Sequence, residues 1–283
     1  MATDGAIRFS KMHGLGNDFV VIDAVTQSFL PTPPLVRRIA DRHTGIGFDQ
    51  LLLVEPATRA DADFRYRIFN ADGSEAEQCG NGARCFVQFV RTHGLTDRTE
   101  LTLETSTGLL HATVTDGNLV SVEMAVPDFD PASLPYTGPE ADAASPAHEL
   151  EVNGERVRMY LVSMGNPHAV IQVDNVETAP VTTLGRAVGS HPAFPKGVNV
   201  GFLEIQDRRN VRLRVYERGA GETLACGSGA CAAVAAGRRA GLLDERVLVE
   251  LPGGRLVIEW SGPGCHVRMT GPATHVFEGS FIP

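Results

Sequence analysis

Two cysteines in near-identical glycine-rich settings carry the most legible chemistry of this chain. Cys79 stands in Glu75-Ala-Glu-Gln-Cys79-Gly80-Asn81-Gly82-Ala83, and 147 residues on Cys226 stands in Glu222-Thr-Leu-Ala-Cys226-Gly227-Ser228-Gly229-Ala230. A thiol donates a proton and a thiolate removes one, so two equivalent sulfurs imply a site with two faces. Glycine lacks a side chain, and Gly80, Gly82, Gly227 and Gly229 leave the neighbouring backbone open to a ligand.

The flanking patterns say how these sulfurs are held. Upstream of the first, Phe64, Tyr66 and Ile68 alternate with Arg65, Arg67 and Phe69; upstream of the second, Val211, Leu213 and Val215 alternate with Arg212, Arg214 and Tyr216. Alternation of this kind is a strand signal. Downstream the period changes. Ala83, Phe86, Val87 and Val90 fall at helical spacing and stop at Gly94, while Ala230, Ala233, Val234 and Gly237 run to Gly241. The second stretch is small-residued all round and suited to a deep position. Each motif therefore reads as strand, loop, cysteine, helix N-terminus. Such a terminus has unpaired backbone N–H groups and the positive end of the helix dipole, which hold a carboxylate and favour a thiolate.

The similarity extends along the chain. Gly16-Asn17 with Val20-Val21-Ile22 recurs as Gly165-Asn166 with Ala169-Val170-Ile171, and Leu101-Thr-Leu103-Glu104 with Gly108 answers to Val247-Leu-Val249-Glu250 with Gly254. The offset drifts only from 149 to 146 residues across these matches, which is the mark of a duplicated domain with small loop changes. The expected halves are residues 1–123 with 272–283, and residues 124–271. A stretch rich in Pro, Ala, Ser and Asp, Pro127 through Pro146, is expected to be an exposed loop.

Composition narrows the function classes. With 283 residues the chain suits two domains of ordinary size, and 43% hydrophobic with 21% charged residues is a globular composition. A net charge of -9 disfavours nucleic acid or an anionic membrane as a partner, since both call for a basic surface. No apolar run is long enough to span a bilayer and Met1-Ala-Thr-Asp is no export signal, so a cytoplasmic protein is expected. Five cysteines, an odd number, argue against a disulfide framework. A lone cysteine in an apolar stretch is most often a small buried hydrophobe, and Cys85, Cys231 and Cys265 are expected to be that. The intervals from Cys79 to Cys85 and from Cys226 to Cys231 fit close zinc spacings poorly, and Cys-x-x-Cys is absent. No metal is expected.

The pattern has a familiar counterpart. His13-Gly-Leu-Gly-Asn17-Asp-Phe, Gly47-Phe-Asp-Gln50, Phe69-Asn70-Ala-Asp-Gly73-Ser, Cys79-Gly-Asn-Gly-Ala-Arg-Cys85, Met164-Gly-Asn166-Pro-His168, Val198-Asn199-Val, Tyr216-Glu217-Arg218-Gly-Ala-Gly-Glu-Thr and Ala225-Cys-Gly-Ser-Gly-Ala230 span nearly the whole chain. In these residues it resembles the diaminopimelate epimerase family of cofactor-independent two-thiol racemases and epimerases. The resemblance implies an α/β (α+β) protein of two pseudo-symmetric domains, each a curled, mostly antiparallel sheet around a central helix. It further implies an active site in the interdomain cleft, a C-terminal strand that returns to the first domain, no cofactor, and interconversion of LL- and meso-diaminopimelate in lysine and peptidoglycan precursor synthesis.

The same resemblance implies the roles. Cys79 and Cys226 would be the base and acid pair. Asn17, Gln50, Asn70, Asn81, Asn166 and Asn199 would contact substrate through amides that both donate and accept. Glu217 and Arg218 would meet an ammonium and a carboxylate at the unreactive end, Arg218 through its planar fork. Gly80, Asn81, Gly227 and Ser228 would hold the reacting carboxylate by their backbone, and His168 and Glu217 would tune the thiols. A homodimer is implied, although Phe277 stands where the family usually has a contact tyrosine. The alternatives are a proline or hydroxyproline epimerase, which typically carries Gly-His-Gly after its first cysteine where this chain has Gly80-Asn81-Gly82, and a non-catalytic amino-acid-binding protein, in which loss of a cysteine is expected.

Overall fold

The computed structural model describes residues 5–77, 79–115, 117, 119–139 and 146–282. The chain forms two compact units, Met1–Val122 with Gly271–Pro283, and Glu123–Thr270.

The first unit runs β1 (Ile7–Gly14), β2 (Asn17–Asp23), α1 (Pro33–Ala40), β3 (Gln50–Pro56), β4 (Phe64–Asn70), β5 (Glu75–Ala76), α2 (Gly80–Thr92), β6 (Glu100–Thr105), β7 (Gly108–Val114) and β8 (Val120–Glu123). Strands β1, β2, β3, β4, β6, β7 and β8 pair in that order; β2 with β3 and β4 with β6 are parallel, and the other pairs are antiparallel. The central strands are buried on both faces, as period-2 sequences with apolar residues at nearly every position must be. Val20, Ile22, Leu51 and Leu53 pack with Val36 and Ile39 of α1 on one side. The opposite face surrounds α2, which packs against β1, β2, β3, β4 and β7.

The second unit repeats this plan. It runs β9 (His148–Val152), β10 (Glu155–Ser163), β11 (Pro167–Gln172), α3 (Val181–Gly189), β12 (Asn199–Ile205), β13 (Asn210–Glu217), β14 (Gly221–Thr223), α4 (Gly227–Arg239), β15 (Arg246–Leu251), β16 (Gly254–Glu259) and β17 (Arg268–Gly271). Strand β11 is parallel to β12 and β13 to β15, at the same places in the order as in the first unit. Helix α4 packs against β10, β11, β12, β13 and β16. Its small residues permit close approach: a Cβ on Gly237 would lie 2.6 Å from Leu243 Cδ1. The last strand, β18 (Thr274–Phe281), pairs antiparallel with β1, so the C-terminus returns to the first unit.

Local sequence accounts for the two turns that set the site. The β1–β2 hairpin closes through Leu15 and Gly16 at φ 57° and 88°, a two-residue turn of positive φ that matches the strand twist. Gly165 at φ 87° serves the equivalent turn between β10 and β11. Each turn delivers an asparagine, Asn17 or Asn166, to one end of its sheet.

Two expectations need correction. The Pro127–Pro146 stretch is not simply an exposed loop: Pro131–Ser133 form a short 3-10 turn, and Leu134 and Tyr136 are buried in the second unit's core. Apolar side chains among the prolines gain more from burial than the loop composition suggests. Residues 140–145 of that stretch lie outside the described residues. Cys265 is exposed, whereas Cys85 and Cys231 are buried. It sits in a turn closed by its N–H to Gly262 O, and the indole of buried Trp260 donates to its carbonyl, so Trp260 takes the apolar space beside that turn. Among the described residues no helix is long and apolar enough to cross a membrane.

Cys85 and Cys231 lie wholly buried in α2 and α4, and burial pushes the Cys85 thiol up to about 12. Replacing either by Ala removes packed volume and is expected to cost roughly 1–3 kcal/mol in denaturant titration.

Candidate active site

In the first unit the site is built at the N-terminus of α2. Cys79 is the N-cap residue, extended at φ -146° and ψ 109°, and its Sγ accepts the N–H of Gly82 at 3.3 Å. A sulfur thus satisfies one of the backbone donors that a helix start leaves open. Tyr66 of β4 donates its hydroxyl to Cys79 O at 3.1 Å. That approach requires glycine at position 82, where a Cβ would come within 2.4 Å of the Tyr66 oxygen. The Tyr66 phenol is pushed well up by burial and by the neighbouring Cys79 and Cys85, so it serves as a neutral donor.

Amides line the approach to this sulfur. Cys79 Sγ lies 3.8 Å from Asn17 Oδ1, which also accepts Asn81 Nδ2 at 3.4 Å. Asn81 Oδ1 accepts a hydrogen bond from Arg84 Nη2 at 3.0 Å, and Arg84, fully buried, also donates to Pro272 O at 3.1 Å. Gln50 and Asn70 pair across β3 and β4, Gln50 Nε2 donating to Asn70 Oδ1 at 3.0 Å; Asn70 Nδ2 donates to Ser74 Oγ, whose hydroxyl goes to Asp72.

In the second unit Cys226 caps α4 at φ -111° and ψ 106°, with no capping hydrogen bond from its side chain. The sulfur is 3.6 Å from Ser228 Oγ, which lies 3.1 Å from His168 Nε2 and 3.3 Å from Asn166 Nδ2. His168 Nε2 is also 3.0 Å from Asn166 Oδ1. Burial, and then the charge of Arg218, hold the imidazole down at about 3, so His168 is neutral near pH 7. Burial and then the Glu217 carboxylate push the Cys226 thiol well up; Ser228 and the Gly229 N–H only partly offset them. Thr223 donates its hydroxyl to Glu217. Asn199 bridges Pro167 O and the Arg218 N–H, and the Arg218 guanidinium donates to Lys196 O at 2.8 Å.

The structure therefore gathers Asn17, Cys79, Gly80 and Asn81 at one helix start, and Asn166, His168, Glu217, Cys226, Gly227 and Ser228 at the other. Gln50 and Asn70 pair with each other, and Asn199 pairs with Arg218 beside His168, on which the Arg218 charge acts. Sequence reading missed Tyr66, Arg84 and Thr223, and also Asp49, whose Oδ2 accepts Asn17 Nδ2 at 2.9 Å. Arg84 left a signal, a charge within an otherwise apolar helix run, and Asp49 sits inside the Gly47-Phe-Asp-Gln50 motif; Tyr66 and Thr223 left none. Among the described residues no group of three or more His, Cys, Asp and Glu side chains is arranged to hold a metal.

A duplicated α/β fold with a glycine-flanked cysteine capping the central helix of each unit defines a class: pyridoxal-independent isomerases of the two-cysteine racemase and epimerase type. Within it, the chain belongs to the family described as diaminopimelate epimerase, whose model matches residues 9–129 and 160–276. Solved structures share the fold. A hydroxyproline epimerase from Agrobacterium vitis, with trans-4-hydroxy-L-proline bound, matches at a TM-score of 0.71 and 18% identity over 99% of this chain and 93% of its own. A phenazine biosynthesis protein of the PhzF family from Bacillus anthracis gives 0.69 and 18% over 98% and 99%. A probable proline racemase from Agrobacterium radiobacter K84 gives 0.70 and 18% over 96% and 92%.

His168 sets an acid limit on stability. Its folded-state value of about 3 lies below the 6.5 of a free imidazole, so as pH falls the unfolded chain takes up a proton that the folded chain refuses. The contribution is complete above the unfolded value and declines as pH drops from 6.5 toward 3, by up to roughly 1.4 kcal/mol per pH unit. Urea titrations between pH 6.5 and 5 are expected to show that slope, and His168→Gln is expected to flatten it.

Proposed function

We propose that the protein epimerises the α-carbon of LL-2,6-diaminopimelate to the meso form, with Cys79 and Cys226 as the two proton-transfer groups. The observation that supports this most directly is the repetition of one device, a cysteine capping a central helix, with different polar support in the two units. An amino-acid α-proton is very weakly acidic, and one acid–base group on each side of the carbon inverts the centre with no other change. The thiolate on one side takes the proton, the C–H electron pair moves toward the substrate carboxylate, and the opposite thiol delivers its own proton. The product leaves behind a thiol where the thiolate stood and a thiolate where the thiol stood, ready for the reverse direction.

Charge development on the carboxylate is where stabilisation is needed. The backbone N–H groups at Gly80, Asn81, Gly227 and Ser228 belong to first turns of helices, preorganised donors for that anion. Burial and then Glu217 keep Cys226 in the thiol form, which suits it to the acid role; His168, neutral and bonded to Ser228, positions the hydroxyl beside that sulfur. Asn17, Gln50, Asn70, Asn166 and Asn199 supply amides for a substrate with two ammonium and two carboxylate groups. Glu217 and Arg218 would bind its distal amino-acid head, and homodimerisation would rest on contacts other than a tyrosine at position 277.

The hydroxyproline bound to the Agrobacterium vitis epimerase gives a second reading, inversion of the α-carbon of a cyclic imino acid. That substrate has no distal head for Glu217 and Arg218 to meet. Side-by-side assays with LL-diaminopimelate, L-proline and trans-4-hydroxy-L-proline separate the two, with turnover of the first alone expected. Turnover of proline but not of diaminopimelate would replace this reading with the second.

Run in heavy water, the first product is expected to carry deuterium at the α-carbon while recovered substrate carries almost none, because each thiol holds a single proton and the one removed is not the one delivered. Equal early labelling in proton NMR would point to one polyprotic base instead. Cys79→Ala and Cys226→Ala are each expected to abolish turnover with the fold retained. Arg218→Lys is expected to fail badly as well, since a point charge cannot replace a planar fork.

A further inference from the structure

The polar side chains around Cys79 form a chain whose direction is set at both ends. Asn17 Nδ2 donates to Asp49 Oδ2 at 2.9 Å, and the same oxygen accepts the Asp18 N–H at 3.1 Å. The other Asp49 oxygen accepts Arg42 Nη2 at 2.9 Å, and Arg42 is itself anchored by two hydrogen bonds to Asp18. A carboxylate held this way can only accept, so the Asn17 amide must turn its nitrogen to Asp49 and its oxygen to the sulfur. At the other end Arg84 can only donate, which turns the Asn81 oxygen toward Arg84 and its nitrogen toward Asn17. Neither amide can reverse without setting oxygen against carboxylate or nitrogen against guanidinium.

We propose that Asp49, braced by Arg42, is a positioning residue that locks the carbonyl oxygen of Asn17 against Cys79 and thereby holds this sulfur as a thiol until substrate arrives. The inference rests on Cys79 being one of the two proton-transfer groups. Two backbone influences favour the thiolate, the Gly82 N–H at 3.3 Å and the N-terminus of α2. The fixed oxygen at 3.8 Å opposes them, because it accepts from S–H and faces S⁻ with the negative end of its dipole. Among the described residues Tyr66 from β4 and Cys85 from α2 interact electrostatically with Cys79, and the Arg84 charge on α2 acts on both of them. Around Asp49 stand Arg42, Asp18 and Lys11, the last paired with Asp18. His13 accepts the Gly16 N–H within the β1–β2 turn. The oxygen that restrains the thiol is also a ready acceptor for a substrate ammonium, so ligand binding would withdraw the restraint and let the thiol release its proton to water.

The test reads the sulfur rather than turnover. Asp49 is half exposed, and Asp49→Ala removes the acceptor without opening the core. The rate of iodoacetamide alkylation at Cys79, followed by peptide mass spectrometry across pH in the substrate-free enzyme, is expected to rise about tenfold at a given pH below its midpoint. This corresponds to a midpoint lower by roughly one unit. Asp49→Asn, which keeps an oxygen for Asn17, is expected to fall between wild type and Asp49→Ala, and the Cys226 profile in the same digests is expected to stay put. An Asp49→Ala profile at Cys79 that matches wild type with the fold intact overturns the proposal, and so does an equal shift at Cys226. Failure of the functional reading looks different: Cys79→Ala would then turn over substrate, whatever the alkylation profile does.

Discussion

The structure depends on a helix N-terminus placed inside a sheet-wrapped unit. Four backbone N–H groups open such a terminus and must find acceptors when they are out of water. Placing a cysteine at the cap meets part of that demand with a sulfur, and glycines in the first turn keep the remaining donors accessible to an anion. Strands on several sides of α2 and α4 hold the two termini still, since interiors at crystal-like density leave little room for a helix to shift. Burial of the helix and reactivity of its cap are thus one arrangement.

The two units share this backbone and diverge in the polar groups around it. Position for position, Tyr66 in the first answers to Leu213 in the second, Asn70 to Glu217, Asn81 to Ser228 and Phe19 to His168. Amides and a neutral phenol attend Cys79, whereas a carboxylate, a hydroxyl and a neutral imidazole attend Cys226. The Gly82 N–H reaches the first sulfur at 3.3 Å, whereas at the second the Gly229 N–H only partly offsets burial and Glu217. Duplicated scaffolds therefore support chemically distinct thiols.

Asn81 and Arg84 are buried, and the polar groups around them and around Gln50 are linked in chains that end on charges. Arg84 ends one on α2, Asp49 with Arg42 ends it at the surface, and Asp72 ends the Ser74–Asn70–Gln50 chain. Charged ends remove the ambiguity of an amide, whose oxygen and nitrogen are otherwise interchangeable in shape. Asp18 shows the energetic balance: burial raises its pKa, but hydrogen bonds from Arg42 and Lys11 outweigh that and bring it down to about 2.

Much was legible in the residues alone. The duplication followed from repeated spacing, the strand-to-helix switch at each cysteine from a change of hydrophobic period, and the helix ends from Gly94 and Gly241, both at positive φ in the structure. These are local properties, carried by backbone preference and pattern. Others required the fold. Leu134 and Tyr136 are buried despite a loop-like composition, and Cys265 is exposed despite being apolar, because burial is decided by which neighbours claim the space. The orientation of Asn17 could not be read from its motif, since it depends on Asp49, 32 positions along the chain, and on Arg84 acting through Asn81. Sequence spacing determines which residues share an element; only tertiary packing decides which donor meets which acceptor, because hydrogen bonds between side chains are set by distances and angles that the chain order does not encode.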